Sequence, residues 1–315
     1  MEIEQEEEEK KSSLKLIFGG LFIILVVGLL VMYWIVPRES VVNFVASNGE
    51  FLSCSNFEFE NENMQFYENM RYINSDISYR VEGCSINKKI EMERAFYEIE
   101  NKTALSFYEA LEDEEIFVTC DSQTKIEGNM FIAGEGGPTN VTKVGNSHAI
   151  LKSKILLIKE SNCESPVIAT HELFHALGFV HSENVCNIMH NFSKCSQEIG
   201  GDMIELIDNL YSYEPLADLN ILSAVGELHD GYLDIDFSIK NIGLLDSKNL
   251  NVEIYSDEEF VKKFDIEEIK LGTGIDVSLK NLEVGTSPDE IKIIAEYDFE
   301  ELNKSNNIYY LYFNN

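Results

Sequence analysis

Residues 171–181 read HELFHALGFVH, and the spacing inside this stretch decides how the middle of the chain folds. His171 and His175 stand four positions apart, so a helix puts both imidazoles on one face, a turn from each other. Two imidazoles at that spacing can share one tetrahedral zinc. Ser165 can cap such a helix and Pro166 suits its first turn. Gly178 tolerates the left-handed backbone that stops a helix, and a turn there brings His181 back as a third ligand. Val167, Ile168, Phe174 and Leu177 remain to pack the helix on a sheet.

Three neutral imidazoles leave a fourth position for a water, whose pKa zinc can bring down to ~7. Glu172, next to the first ligand, is placed to take that water's proton and hand it to a leaving amine. A five-position pattern drawn from ~20 residue types arises by chance on the order of 10^-4 times over such a chain. The chain has six histidines, and three of them fall on the pattern. The spacing therefore points to hydrolysis of peptide bonds by a zinc-activated water.

Around this stretch the pattern mixes strands and helices. Upstream, 77–81 alternates as a strand and 88–100 carries Ile90, Met92, Ala95, Phe96 and Ile99 as a helical stripe. Segments 105–108, 116–120 and 155–159 read as strands, and 133–138 (AGEGGP) as a glycine-rich loop without a phosphate-binding pattern. Downstream, 203–211 is an amphipathic helix that closes the domain. After Pro215 only strand patterns remain, at 233–239, 250–254, 275–279, 290–297 and 308–313, which predicts a β-sandwich.

The N-terminal part has a different character. Leu16 to Val36 is an uncharged apolar run of 21 residues, enough to span a hydrocarbon core of about 30 Å as a helix. Tyr33 and Trp34 suit the interface, and Pro37 ends the run. Lys10, Lys11 and Lys15 precede it, so the positive-inside rule keeps residues 1–15 in the cytoplasm and exports the rest. The expectation is a single-pass protein of the cell membrane, with residues 37–69 as an acidic stalk.

Charge and cysteines fit that placement. A net charge of -32 and a pI near 4.4 exclude a nucleic-acid binder, which needs a cationic surface. All six cysteines (Cys54, Cys84, Cys120, Cys163, Cys186 and Cys195) lie in the exported part, where disulfides form. Short loops favour the pairs Cys54–Cys84, Cys120–Cys163 and Cys186–Cys195. The acidic loops leave a calcium site open, although no EF-hand-like run appears.

HExxHxxGxxH resembles the zinc signature of the metzincin metallopeptidases, and the order of elements around it resembles the matrixin branch. That resemblance implies an α+β catalytic domain over 70–213, a mixed twisted sheet with an active-site helix. It implies His171, His175 and His181 as zinc ligands and Glu172 as catalytic base. Asn187-Ile-Met-His190 matches the family's Met-turn, which makes Met189 a hydrophobic floor beneath the metal. The 133–145 segment would hold an extended peptide as an added strand. Asn191 stands where some metzincins have a tyrosine, so no tyrosine switch is expected, and Phe174 replaces a glycine common in matrixins. There is no cysteine-switch motif, which leaves Cys54 as the alternative blocking thiolate.

The last hundred residues, 216–315, resemble CARDB, an immunoglobulin-like surface module. The similarity rests on Ala217-Asp-Leu-Asn-Ile221, Phe237-Ser-Ile-Lys-Asn-Ile-Gly243 and 298–307 (DFEELNKSNN). Such a module implies a spacer or a surface partner. The alternative to an enzyme is a surface adhesion protein that binds peptide on the metzincin scaffold without cleaving it.

Overall fold

The computed structural model describes Cys54 and residues 63–123, 125–127, 130–285 and 288–313. No helix among them is long and apolar enough to cross a membrane. The apolar run 16–36, the tail before it and most of the expected stalk lie outside the described residues.

The first half of the described chain is built from β1 (Met70–Tyr72), β2 (Asp76–Glu82), α1 (Ile86–Glu100), β3 (Ser106–Glu109) and β4 (Ile116–Cys120). A small hairpin of β5 (Lys125–Glu127) and β6 (Met130–Ile132) follows, then β7 (Gly134–Val144) and β8 (Ser147–Leu157). Two helices close it, α2 (Val167–Ala176) and α3 (Gly201–Leu210). β1, β8, β4, β2 and β3 pair in parallel, whereas β7 runs antiparallel along the whole of β8. A strand has two hydrogen-bonding edges, so β1 and β4 share the other edge of β8, at Met70–Tyr72 and Ile116–Cys120.

α1 starts at the Ser85 cap, whose side chain accepts from Lys88 N–H, and buries Met92, Ala95, Phe96 and Ile99 on the sheet. Lys88 is buried as well. Its Nζ donates to the carbonyls of Asp121, Leu157 and Ile158, tying the helix to the ends of β4 and β8. All ten residues of α2 are buried, the polar Thr170, His171, Glu172 and His175 included, so the helix lies inside the domain. Tyr72 anchors its far end: the phenol oxygen lies 2.6 Å from Ser153 Oγ and 3.0 Å from Ala176 O.

Several expectations are corrected. The glycine-rich 133–138 segment is the start of strand β7, not a loop. Ser165 does not cap α2; Pro166 occupies the cap position, with no side-chain bond. Residues 64–69, counted with the stalk, belong to this fold: Gln65 bridges Phe179, and Phe66 N–H donates to Gly178 O. The disulfides are Cys54–Cys186, Cys84–Cys120 and Cys163–Cys195, none of the short-loop pairs. Strand adjacency explains the second: β2 and β4 are parallel neighbours, and their C-terminal ends bring Cys84 and Cys120 together.

The C-terminal half is a sandwich of two antiparallel sheets. One holds β9 (Leu219–His229), β10 (Tyr232–Asn241) and β13 (Gly274–Glu283). The other holds β11 (Leu250–Ser256), β12 (Glu259–Ile266), β14 (Glu290–Glu296) and β15 (Ile308–Tyr312). Leu233, Ile235, Phe237 and Ile239 alternate inward from β10 to meet Leu250, Val252 and Ile254 of β11 and Ile291 and Ile293 of β14 in one core. β9 begins an alternation at Leu219 and Ile221 that a register shift at Leu222 breaks, and β12 is mostly exposed, so neither strand stood out in the sequence.

Candidate active site

Three ring nitrogens converge at the C-terminal end of α2. His171 and His175 project from the same face, one turn apart. The chain then reverses at Gly178, whose φ is +95°, and a Cβ there would crowd Met70 Sδ at 2.7 Å. Phe179 N–H donates to Phe174 O and Val180 N–H to Met64 O, which fixes the returning segment that carries His181. His181 Nε2 lies 3.3 Å from His171 Nε2 and 3.1 Å from His175 Nε2.

Backbone carbonyls set two of the tautomers. His171 Nδ1 lies 2.7 Å from Ile188 O and His175 Nδ1 2.8 Å from Phe179 O. A carbonyl only accepts, so each Nδ1 carries the proton and each Nε2 presents a lone pair. Burial first, then neighbouring imidazoles, hold the rings neutral: His171 is lowered to about 3 and His175 to about 4. His181, on the open side, is also lowered, by burial first and His190 second.

Two Nε2 lone pairs directed at a third ring nitrogen at these distances suit a cation between the three. Bonds of about 2.0–2.1 Å in a tetrahedron separate nitrogens by roughly 3.3 Å, so the trio fits zinc. Among the described residues this is the one group of three or more such side chains able to hold a metal. No acidic group among them offers the calcium site that the acidic loops had left open.

Glu172 is buried next to the trio, on α2. Its carboxyl is pushed up to about 8, by burial first and by the charge of Glu135 second. A dication at the three nitrogens would draw it down again. The carboxylate also touches β7. A Cβ on Gly134 would meet Glu172 Cγ at 2.6 Å and Oε1 at 2.7 Å, and one on Gly136 would overlap the Glu172 carbonyl. These two glycines therefore let the strand lie directly on the glutamate. Sequence reading missed them, because glycine in a strand ordinarily weakens it.

Met189 is fully buried in a tight turn beside the trio. Its N–H is held by Asn187 Oδ1 at 2.8 Å, and its carbonyl accepts from Ser182 N–H, one residue after His181. Ile188, in the same turn, orients His171. His148 lies elsewhere: it stacks on Tyr67 and reaches Glu68 O. His190 stands at the end of the turn against Phe192. Cys54 is bonded to Cys186 and is no blocking thiolate.

Two stretches of the chain are similar to known families. Residues 64–187 match the family model Astacin, a family of peptidases, and residues 216–310 match CARDB. Residues 64–187 are therefore similar to an astacin peptidase domain. Astacins are metzincins, so the wider resemblance is supported, whereas the expected matrixin branch is not: the similarity is to astacins. The astacin family is zinc-dependent, in keeping with the three converging imidazoles.

No curated protein matches. Among solved structures, a domain of a cell-surface protein from Methanosarcina acetivorans is 18% identical, covering 30% of this chain and 88% of that one, with a TM-score of 0.28. The CARDB domain of a Pyrococcus furiosus protein, solved with di-metal ions, is 16% identical over 30% and 84%, with a TM-score of 0.24. High choriolytic enzyme 1, a hatching-enzyme zinc protease of the medaka Oryzias latipes, is 23% identical over 34% of this chain, with a TM-score of 0.20. This chain spans 44% of that enzyme's length.

Proposed function

We propose that this chain is a zinc-dependent endopeptidase held at the membrane by residues 16–36, with its catalytic domain outside the cytoplasm. The observation that carries the reading is the convergence of three imidazole Nε2 atoms beside a buried glutamate that lies against an edge strand. When bound to His171, His175 and His181, zinc supplies Lewis acidity to a scissile carbonyl and acidifies a water.

The rest is the work of the chain's own groups. β7 pairs with β8 on one edge, and its other edge can receive an extended substrate as an added strand. Gly134 and Gly136 bring that strand, and hence the substrate, up to Glu172. A Glu172 carboxylate oxygen accepts a proton from the attacking water and passes it to the nitrogen of the leaving amine. Met189 packs beneath the imidazoles, and the Ile188 and Phe179 carbonyls hold two of them in the metal-binding tautomer. Asn191 supplies no phenol, so charge on the carbonyl oxygen is met without a tyrosine.

The test is cleavage of an unbiased peptide library by the zinc-loaded protein. Glu172→Ala should keep one zinc and lose roughly 10^2–10^4 in kcat/KM, the usual worth of a general base. His175→Ala should lose both zinc and cleavage. Full activity in Glu172→Ala would end this mechanism, and zinc binding without any cleavage would leave a peptide-binding surface protein. The anchor is tested separately: the full chain should stay in alkali-washed membranes and a chain lacking 16–36 should not. Three disulfides favour this exported placement, because they persist in oxidising compartments.

A further inference from the structure

The β7–β8 hairpin reaches beyond its own domain. Val144, the last residue of β7, is only 2% exposed, yet it belongs to neither apolar core. The sandwich covers it. A Cβ on Gly272 would meet Val144 Cγ1 at 3.3 Å and Lys143 O at 2.9 Å, and would overlap the Thr142 methyl. Gly145, at the hairpin turn, approaches the sandwich at the same corner: a Cβ there would meet Ile242 O at 3.0 Å.

The sandwich surface that receives the hairpin is a braced corner. Gly272 N–H donates to Asn241 O, and Asn241 N–H donates to Thr273 O. The Asn241 side chain is fully buried, with Nδ2 donating to the carbonyls of Leu245 and Ile269 and Oδ1 accepting from Asp218 and Gly243 N–H. Gly272 therefore presses on β7 from a position that cannot swing away.

At its other end the same strand lies on Glu172 through Gly134 and Gly136. β7 is 11 residues long and pairs with β8 on both sides of a register shift at 138–141, so its two ends, up to about 35 Å apart, belong to one hairpin. Both segments of β7 are laddered to the continuous strand β8, and through that ladder a shift at Val144 is carried toward the residues that touch Glu172.

We propose that the C-terminal sandwich is a working part of the peptidase: it clamps the far end of β7 and so positions the substrate-pairing edge against Glu172. Gly145 and Gly272 are positioning residues that act through this strand. The inference rests on the peptidase reading above.

The experiment compares Gly272→Ala with Gly285→Ala in the full chain. Both glycines have positive φ, +69° and +89°, but a Cβ on Gly285 meets nothing within 4 Å, so it reports backbone strain alone. Gly272→Ala should raise KM with kcat/KM falling ~10-fold, one zinc still bound, since a misplacement of about an ångström carries penalties of this order or larger. Gly285→Ala should stay within about twofold of the parent. Adding Thr142→Ser to Gly272→Ala removes the methyl in the way and should recover much of the loss. Amide exchange along 134–144 should also quicken in Gly272→Ala and not in Gly285→Ala. Unchanged KM and unchanged exchange in β7 would overturn the proposal. If the parent cleaves nothing, the peptidase reading fails by itself, and exchange in β7 still decides whether the sandwich clamps the strand.

Discussion

The two halves of this molecule hold their shape by different means. In the sandwich the determinants are close in sequence. Asp230 and Gly231 take positive φ, +49° and +89°, and form the two-residue turn that pairs His229 with Tyr232. Beyond the turn, every second residue of β10 is a core residue, and the half contains no cysteine. In the half that holds the three histidines, the proposed catalytic half, the determinants are remote. Three disulfides link positions 132, 36 and 32 residues apart. His171 is oriented by a carbonyl 17 positions away, and Glu172 is approached by glycines from another element. A sandwich has only to bury one face of each strand. A metal site has to fix several polar groups at once inside an apolar domain, where each must be held by something other than water.

This contrast makes its largest prediction for the disulfides. Cys163–Cys195 joins the segment before α2 to the segment after the Met189 turn, so it brackets the trio from both sides. In the chain-entropy picture, opening a loop of this size costs about 4 kcal/mol. Cys163→Ser with Cys195→Ser should therefore lower the thermal transition of the catalytic half and weaken zinc binding, while the transition of the sandwich stays put. Calorimetry resolves the two. If both transitions fall together, the halves melt as one cooperative unit and the contrast between them fails.

The same contrast explains what could be read in advance. The HELFHALGFVH spacing was sufficient for the helix, the reversal at Gly178 and the meeting of three imidazoles, because all of these are local geometry. Ile116–Cys120 and the alternating strands of the sandwich were legible for the same reason. The disulfides were not, since their pairing follows from β2 lying beside β4 and from the loops around α2. Gly134 and Gly136 looked like a loop because their purpose lies in the approach of Glu172, which no window of sequence displays. Lys88 interrupts its helix's apolar stripe only until its three carbonyl partners are seen. Met64 to Phe66 were hidden in an acidic, asparagine-rich stretch, although they pair with the segment between two of the histidines.

A smaller effect sharpens the comparison from the other side. If the sandwich depends on local determinants, a single turn residue should matter to it and to nothing else. Gly231 adopts a backbone that costs a residue with a Cβ about 1–2 kcal/mol. Gly231→Ala should destabilise the sandwich by that amount and leave zinc binding and the catalytic transition unchanged, as read by calorimetry and by metal content. The turn lies at the opposite end of β10 from Asn241, so the corner that meets Gly272 and the β7–β8 hairpin should keep its geometry and kcat/KM should not move. A loss of cleavage in Gly231→Ala would mean that the whole sandwich, rather than its braced corner, governs the position of β7.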